Sequence, residues 1–340
     1  MSKSLNRCFL NVSSLLFGAA FALAAARADD KPWHADLEQV RQVAGMIPGA
    51  RPIRVNVIKF AESRRTKNFA VKGFAAEPGV QARTAYQIVY PDGTVMVDTG
   101  MDLATHQFFG RGTPEPYFPE QAARVAQALK AARAIIVTHE HGDHIAGLVR
   151  SASFAELAPK TVLTRAQLQT LMSEPQIPEL RPTPEMASLL RVVDYADYMA
   201  FAPGIALIKS PGHTPGSQMV YVALQSGREL LLAGDVAWHM DGVRMNAGKD
   251  APWIKEPVEL MAAELPGSTN STAPVKISPS SSATTKTSAA NISSRASSAT
   301  ASNRRGFAPG RLACIFEHRS GTNSAAASYL CAEGCFGMPL

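Results

Sequence analysis

From Thr138 to His144 the chain reads T-H-E-H-G-D-H, which puts His139, His141, Asp143 and His144 within six positions. Imidazole and carboxylate at that density are ligands for a divalent ion, with zinc the best match and manganese or iron also compatible. The group follows the apolar run "AIIVT", so it sits on the loop leaving the C-terminal end of a strand. Gly142 permits a sharp turn there. His139 and His141 can then serve one ion while Asp143 and His144, turned the other way, serve a second. Two further candidates follow: His213 in the Pro/Gly-framed "SPGHTPGS", and Asp235 at the end of "LLLAGD". Alone, these are a turn histidine and a helix cap. After the first motif, both become candidate ligands.

The elements that must position these residues alternate between strand and helix signals. "IRVNVIKF", "AYQIVY" and "TVMVDTG" have strand character, with "YPDGT" as a hairpin turn between the last two. "EQAARVAQALKAAR" (120–133) carries its apolar residues at helical spacing and feeds straight into "AIIVT". "TVLTRAQLQTLM" and "TPEMASLLRVV" read as helical pieces, and "IALIKSPG", "QMVYVAL" and "ELLLAGD" as strands. That alternation excludes all-α and all-β classes and predicts an α/β protein with sheets covered by helices.

With "VDTG" (Asp98), "THEHGDH", "GHTPG" and "GD" in this order over roughly 52–265, the sequence resembles the metallo-β-lactamase superfamily of binuclear hydrolases. The resemblance implies a four-layered αββα sandwich with the metal site along one edge. It implies that His139, His141 and His213 hold a first ion, that Asp143 and His144 hold a second, and that Asp235 bridges both. Asp98 would buttress the metal loop. Two zinc ions and a hydroxide bridging them would hydrolyse an ester, lactone or thioester, with Asp143 orienting the water and passing its proton to the leaving group. Branches that open β-lactams generally carry cysteine or serine at the bridging position, so Asp235 argues against antibiotic hydrolysis. "SPGHTPGSQ" looks most like the lactonase group. That group commonly has a tyrosine three residues after the bridging aspartate, where this chain has Trp238, followed by His239. Both are candidates for the substrate pocket. His34 and His106 are read as ordinary histidines, and the segment 166–200 as a packed insertion or a lid.

Composition limits the partners. Three of the 34 basic residues fall in 1–28 and seven in 267–340, against two of the 28 acids, which leaves 24 basic and 26 acidic residues in 29–266 and a net of −2 there. The middle has no basic stripe, so the expected partner is a small-molecule substrate and not nucleic acid. Lys3 and Arg7 precede the short apolar run "LLFGAAFALAAA" and the cleavage-like "ARA", an export signal over 1–28. This predicts a periplasmic or secreted protein with no stable membrane insertion after cleavage. An extension (29–50), the hydrolase domain (51–266) and a tail (267–340) follow. Cys314, Cys331 and Cys335 are an odd number, and "CAEGC" lacks metal spacing.

The resemblance also implies a last histidine on a loop after a final strand, but past Pro266 the chain turns to Ser, Thr, Ala and Asn without hydrophobic period. As written, the sandwich would lack its last strand and helix, the tail would be disordered, and the second ion would lose a nitrogen donor. The alternative function is then a degenerate domain with one tight ion and little turnover. His318 in "CIFEHRSG" is a poor substitute, with no apolar strand of the family type before it. Read one base out of frame, permitted codons for "GSTNSTAPVKISPSSSATTK" include an apolar strand ending in Ser-His-Asp, the histidine falling across Ala283 and Thr284. A frameshift near Leu265–Ser268 is therefore expected. Sequencing the codons from Glu264 to Arg304 should reveal a second frame encoding such a strand, and the idea fails if no frame does.

Overall fold

In a computed structural model the described residues are 35–252, together with the backbone of Ile315–Arg319. The export signal (1–28), the Ser/Thr tract and the codons of the expected frameshift lie outside the described residues. Leu37–Gly45 (α1) opens on Asp36, whose carboxylate caps the amides of Glu38 and Gln39. Arg54–Thr66 (β1) and Pro78–Tyr90 (β2) form a long antiparallel pair enclosing the short Lys67–Ala70 (α2). Gly93–Val97 (β3) continues antiparallel to β2 through the turn at Pro91 and Asp92. After Leu103–Gly110 (α3) and Pro119–Ala131 (α4), which starts on a favourable first-turn proline, the chain returns as Ala134–Ile136 (β4), parallel to β3.

Gly142–Val149 (α5) and Phe154–Leu157 (α6) lead to Thr161–Thr164 (β5), Arg165–Ser173 (α7), Pro184–Ser188 (α8) and Arg191–Val193 (β6). Here the structure corrects the sequence reading at two places. "TVLTRAQLQTLM" is a strand and then a helix: β5 lies parallel to β4, and α7 starts with a reciprocal cap. In that cap Thr164 Oγ1 accepts from the Gln167 amide while Gln167 Oε1 accepts from the Thr164 amide. "TPEMASLLRVV" likewise ends as β6, because its β-branched valines complete the parallel edge beside β5. The segment is packed: Leu171, Ile177, Leu180 and Leu190 are all in the core.

Tyr198–Ala202 (β7), Ile205–Lys209 (β8), Gln218–Ala223 (β9) and Arg228–Leu232 (β10) form a second, antiparallel sheet, followed by Met240–Arg244 (α9). The edge beyond β10, expected to lack a partner, carries Ile315–Arg319 (β11), paired Leu232↔Ile315 through Arg228↔Arg319. The exposed amides and carbonyls of β10 supply the reason, since an open edge recruits any short β-forming segment within reach.

Period-two alternation divides the core into layers. Val95, Val97 and Ile136 of the first sheet meet Ile205, Leu207, Val220 and Val222 of the second. Met96, Ile135 and Leu163 point the other way, onto α4, α5 and α6. Ala206, Ile208 and Met219 take Val40 and Ala44 of α1 and Met240 of α9. Helix, sheet, sheet, helix is the four-layered αββα order. Among the described residues, no helix is long and apolar enough to cross a membrane.

One contact fixes the end of the first sheet where the motif lies. A Cβ at Gly147 would stand 2.0 Å from the Thr99 carbonyl oxygen, so only glycine lets α5 approach the loop after β3. At that contact the Gly147 amide donates to Gly100 and the Leu148 amide to Thr99 Oγ1.

Candidate metal centre

Four loops at the same end of the two sheets bring the candidates together: those after β3 (Asp98), β4 (His139 to His144), β8 (His213) and β10 (Asp235). Buried amides tie the loops to one another. Gln167 Nε2 donates to the carbonyls of Val137 and Gly216, each at 2.9 Å, and Gln218 Nε2 donates to Val137 at 2.7 Å. Thr214 Oγ1 donates to Glu140 Oε2 at 2.8 Å, joining "GHTPG" to "THEHGDH".

Asp98 holds the first of these loops. It is 1% exposed and sits at φ 63°, a left-handed conformation that aspartate tolerates better than most residues. Its Oδ1 accepts from the Thr138 amide at 2.7 Å and from Thr138 Oγ1 at 2.9 Å, while Oδ2 lies 2.8 Å from His144 Nδ1. That last bond places the proton on Nδ1 and leaves Nε2 facing the cluster.

The facing atoms fall into two groups. His139, His141 and His213 form one in which the ligand atoms all lie within 4.8 Å of one another, and His139, His144 and Asp235 form the other. His213 Nε2 is 3.0 Å from His141 Nδ1 and 3.5 Å from Asp235 Oδ2. His144 Nε2 is 3.3 Å from Asp235 Oδ1 and 3.7 Å from Asp143 Oδ2. The two oxygens of Asp235 thus face different histidines, an arrangement that suits a carboxylate shared between two ions. Ligands at about 2.0–2.2 Å from a tetrahedral ion are themselves about 3.3–3.6 Å apart, close to these separations. His139 Nε2 is buried with no hydrogen-bond partner, a position that an ion would satisfy. The donor set therefore fits a divalent metal.

Electrostatics point the same way. Burial pushes His139 well below the usual imidazole range and lowers His141, so both are neutral ligands at neutral pH. Burial opposes charge on His144 too, but Asp98, Asp143 and Asp235 outweigh it and hold it well above the usual range. Burial would raise Asp235, yet His144, His139 and His213 keep it well below the ordinary carboxylate range. The surrounding carboxylates favour a positive charge at His144, and a metal at its Nε2 would take the place of that ring's proton.

Trp238 donates Nε1–H to Asp235 Oδ2 at 2.8 Å, and its half-buried ring lies 6.2 Å from that of His213. His239 caps α9, accepting from the Asp241 amide at 3.1 Å. His106 is buried at a different place, against Glu115 and Tyr117. Backbone register puts His318 opposite Glu229, at the end of β10 remote from Asp235.

Sequence reasoning missed Arg83 and Lys249. Arg83 Nη1 is 2.8 Å from Asp143 Oδ2. Lys249, 1% exposed, places Nζ 2.9 Å from His213 Nδ1 and donates to the Asp235 carbonyl. The contact at Nδ1 leaves His213 Nε2 as the ring nitrogen that faces the cluster. Neither residue sits in a motif, and no local spacing announces them.

The model of the metallo-beta-lactamase superfamily matches residues 78–273. Among solved structures, a quorum-quenching N-acyl homoserine lactone lactonase is similar at 16% identity and a TM-score of 0.50, over 64% of this chain and 86% of that one. An N-acyl homoserine lactone hydrolase with the product N-hexanoyl-L-homoserine at its catalytic metal centre is 17% identical at a TM-score of 0.49, over 63% and 86%. A probable metal-dependent hydrolase from Staphylococcus aureus is 13% identical at a TM-score of 0.49, over 64% and 84%. At these identities the likeness is one of fold. No curated protein matches the sequence.

Replacing the buried hub tests the centre. Asp98→Asn keeps the shape but loses the charge that orients His144, and zinc affinity measured by chelator competition should fall about 10–100-fold. Unchanged affinity would show that Asp98 does not support the metal-binding residues.

Proposed function

This chain belongs to the metallo-β-lactamase superfamily, and on that premise we propose that it is an exported zinc-dependent hydrolase of a carboxylic ester, lactone or thioester, with lactones preferred. The observation that carries the reading is Asp235, whose two oxygens face separate histidine sets. His139, His141 and His213 would hold one ion, and His144 with Asp143 a second, Asp235 serving both. Zinc supplies Lewis-acid polarisation of a carbonyl oxygen and lowers the pKa of water.

The chain's own residues supply the rest. Asp143 orients the attacking water and returns its proton to the leaving oxygen or sulfur. Arg83 fixes the Asp143 carboxylate at 2.8 Å, so that this base has one orientation. Trp238 commits its N–H to Asp235 and so cannot assist the substrate oxygen from that position. Lactone preference rests on the "SPGHTPGSQ" stretch and on the fold shared with a lactone-opening enzyme.

A second reading, one tight ion with weak turnover, is favoured by one observation. Among the described residues no histidine joins the cluster beyond His139, His141, His144 and His213.

Zinc-loaded protein should open N-acyl lactones faster than it cleaves a matched thioester, lose that activity to a chelator and regain it with zinc. His139→Ala should lower kcat/KM at least about 100-fold, as expected when a group in direct contact with the ion is lost. Absence of turnover on lactone, ester and thioester alike, with zinc bound, would contradict the proposal.

A further inference from the structure

Arg83 lies on β2 opposite Ala61, where β1 bulges between Lys59 and Ala61. Its side chain is 11% exposed, over the ring of Phe109 at 5.4 Å and beside Met101 Sδ at 4.0 Å. Nη1 donates to Asp143 Oδ2 at 2.8 Å, and Nε is buried with no partner. The Asp143 oxygen it holds is the one 3.7 Å from His144 Nε2, the oxygen that a second ion would have to take. Of the six candidate ligands, Asp143 alone belongs to neither of the two close groups.

We propose that Arg83 is a built-in monovalent cation at the second metal position, so that the centre binds one divalent ion tightly and a second only weakly. This rests on the reading that the His139–His141–His213 group binds zinc.

The physical case is one of competition for a single carboxylate. The planar guanidinium brings a full positive charge to the carboxylate it holds. A charge-assisted bond to carboxylate is among the stronger hydrogen bonds in a protein. A second ion must either share the Asp143 oxygen with a cation in direct contact or displace it. Displacement would leave a mostly buried guanidinium with its Nε unpaired and only the weakly accepting Met101 sulfur at Nη1, which carries a desolvation penalty. The first group is not affected, because its ligand atoms do not include Asp143. Arg83 therefore separates the two binding steps and keeps Asp143 in one orientation beside the first ion.

Equilibrium dialysis against zinc, with bound metal counted by mass spectrometry, tests this on the full chain without reference to activity. The native protein should bind one equivalent tightly and the second at least about 100-fold more weakly. Arg83→Met should tighten the second step at least about tenfold and leave the first within about threefold, a scale typical of altering a partner of a metal ligand. Arg83→Lys, which keeps the charge, should behave as native. Arg83→Gln must repeat the Met result, which guards against misfolding of one variant. Two equally tight equivalents in the native protein, or a second step unmoved by both neutral variants, would overturn the inference. No uptake of even the first equivalent would overturn the zinc-hydrolase reading itself, so the two failures are distinguishable.

Discussion

The buried carboxylate of Asp98 is the interaction on which the metal end depends. A charge that is almost fully buried is tolerable only with several hydrogen bonds to stabilise it, and here Thr138 and His144 supply them. In return it fixes the start of the motif loop through the Thr138 amide and sets the tautomer of His144. Asp98 also occupies a left-handed backbone conformation, at φ 63°, where the chain leaves β3 and turns under α5. The Gly147 contact with Thr99 lets that helix come close enough for the arrangement to close.

The sandwich does the longer-range positioning. β3 and β4 are parallel, so the loops that leave them emerge at one end and bring Asp98 and His139 side by side. The antiparallel β8, β9 and β10 deliver His213 and Asp235 to the same end from the second sheet. Gln167 and Gln218 then join the sheets through buried carbonyls of Val137, Thr138 and Gly216. The loops that carry the cluster are thus joined by side-chain-to-backbone hydrogen bonds that involve none of the candidate ligands, a supporting shell of the kind that preorganises a site.

Much of this was legible in the sequence because the chemistry is local. His139, His141, Asp143 and His144 share one loop and helix start, and residue type alone suggests their use. His213 and Asp235 were legible by order, each at the end of a strand. Arg83 was not, since its partner Asp143 is 60 positions away and the contact arises only when the fold brings the Arg83 side chain of β2 to the start of α5. Lys249 is hidden for the same reason, 36 positions from His213. The misread helical stretches failed for a different one: Thr161–Thr164 and Arg191–Val193 are short, and parallel neighbours decided their state where local pattern could not. β11 was missed because a five-residue strand inside a tail without hydrophobic period has no signal apart from the edge it pairs with.

We propose that His139, His141, His213 and Asp235 together form the shell of one divalent ion, with zinc as the metal. X-ray absorption at the zinc edge, on protein loaded with one equivalent, reads that shell directly. Nitrogen and oxygen neighbours are expected at about 2.0–2.1 Å, with multiple scattering from three imidazoles and no sulfur. A shell with fewer than two imidazoles, or one containing thiolate, would contradict it.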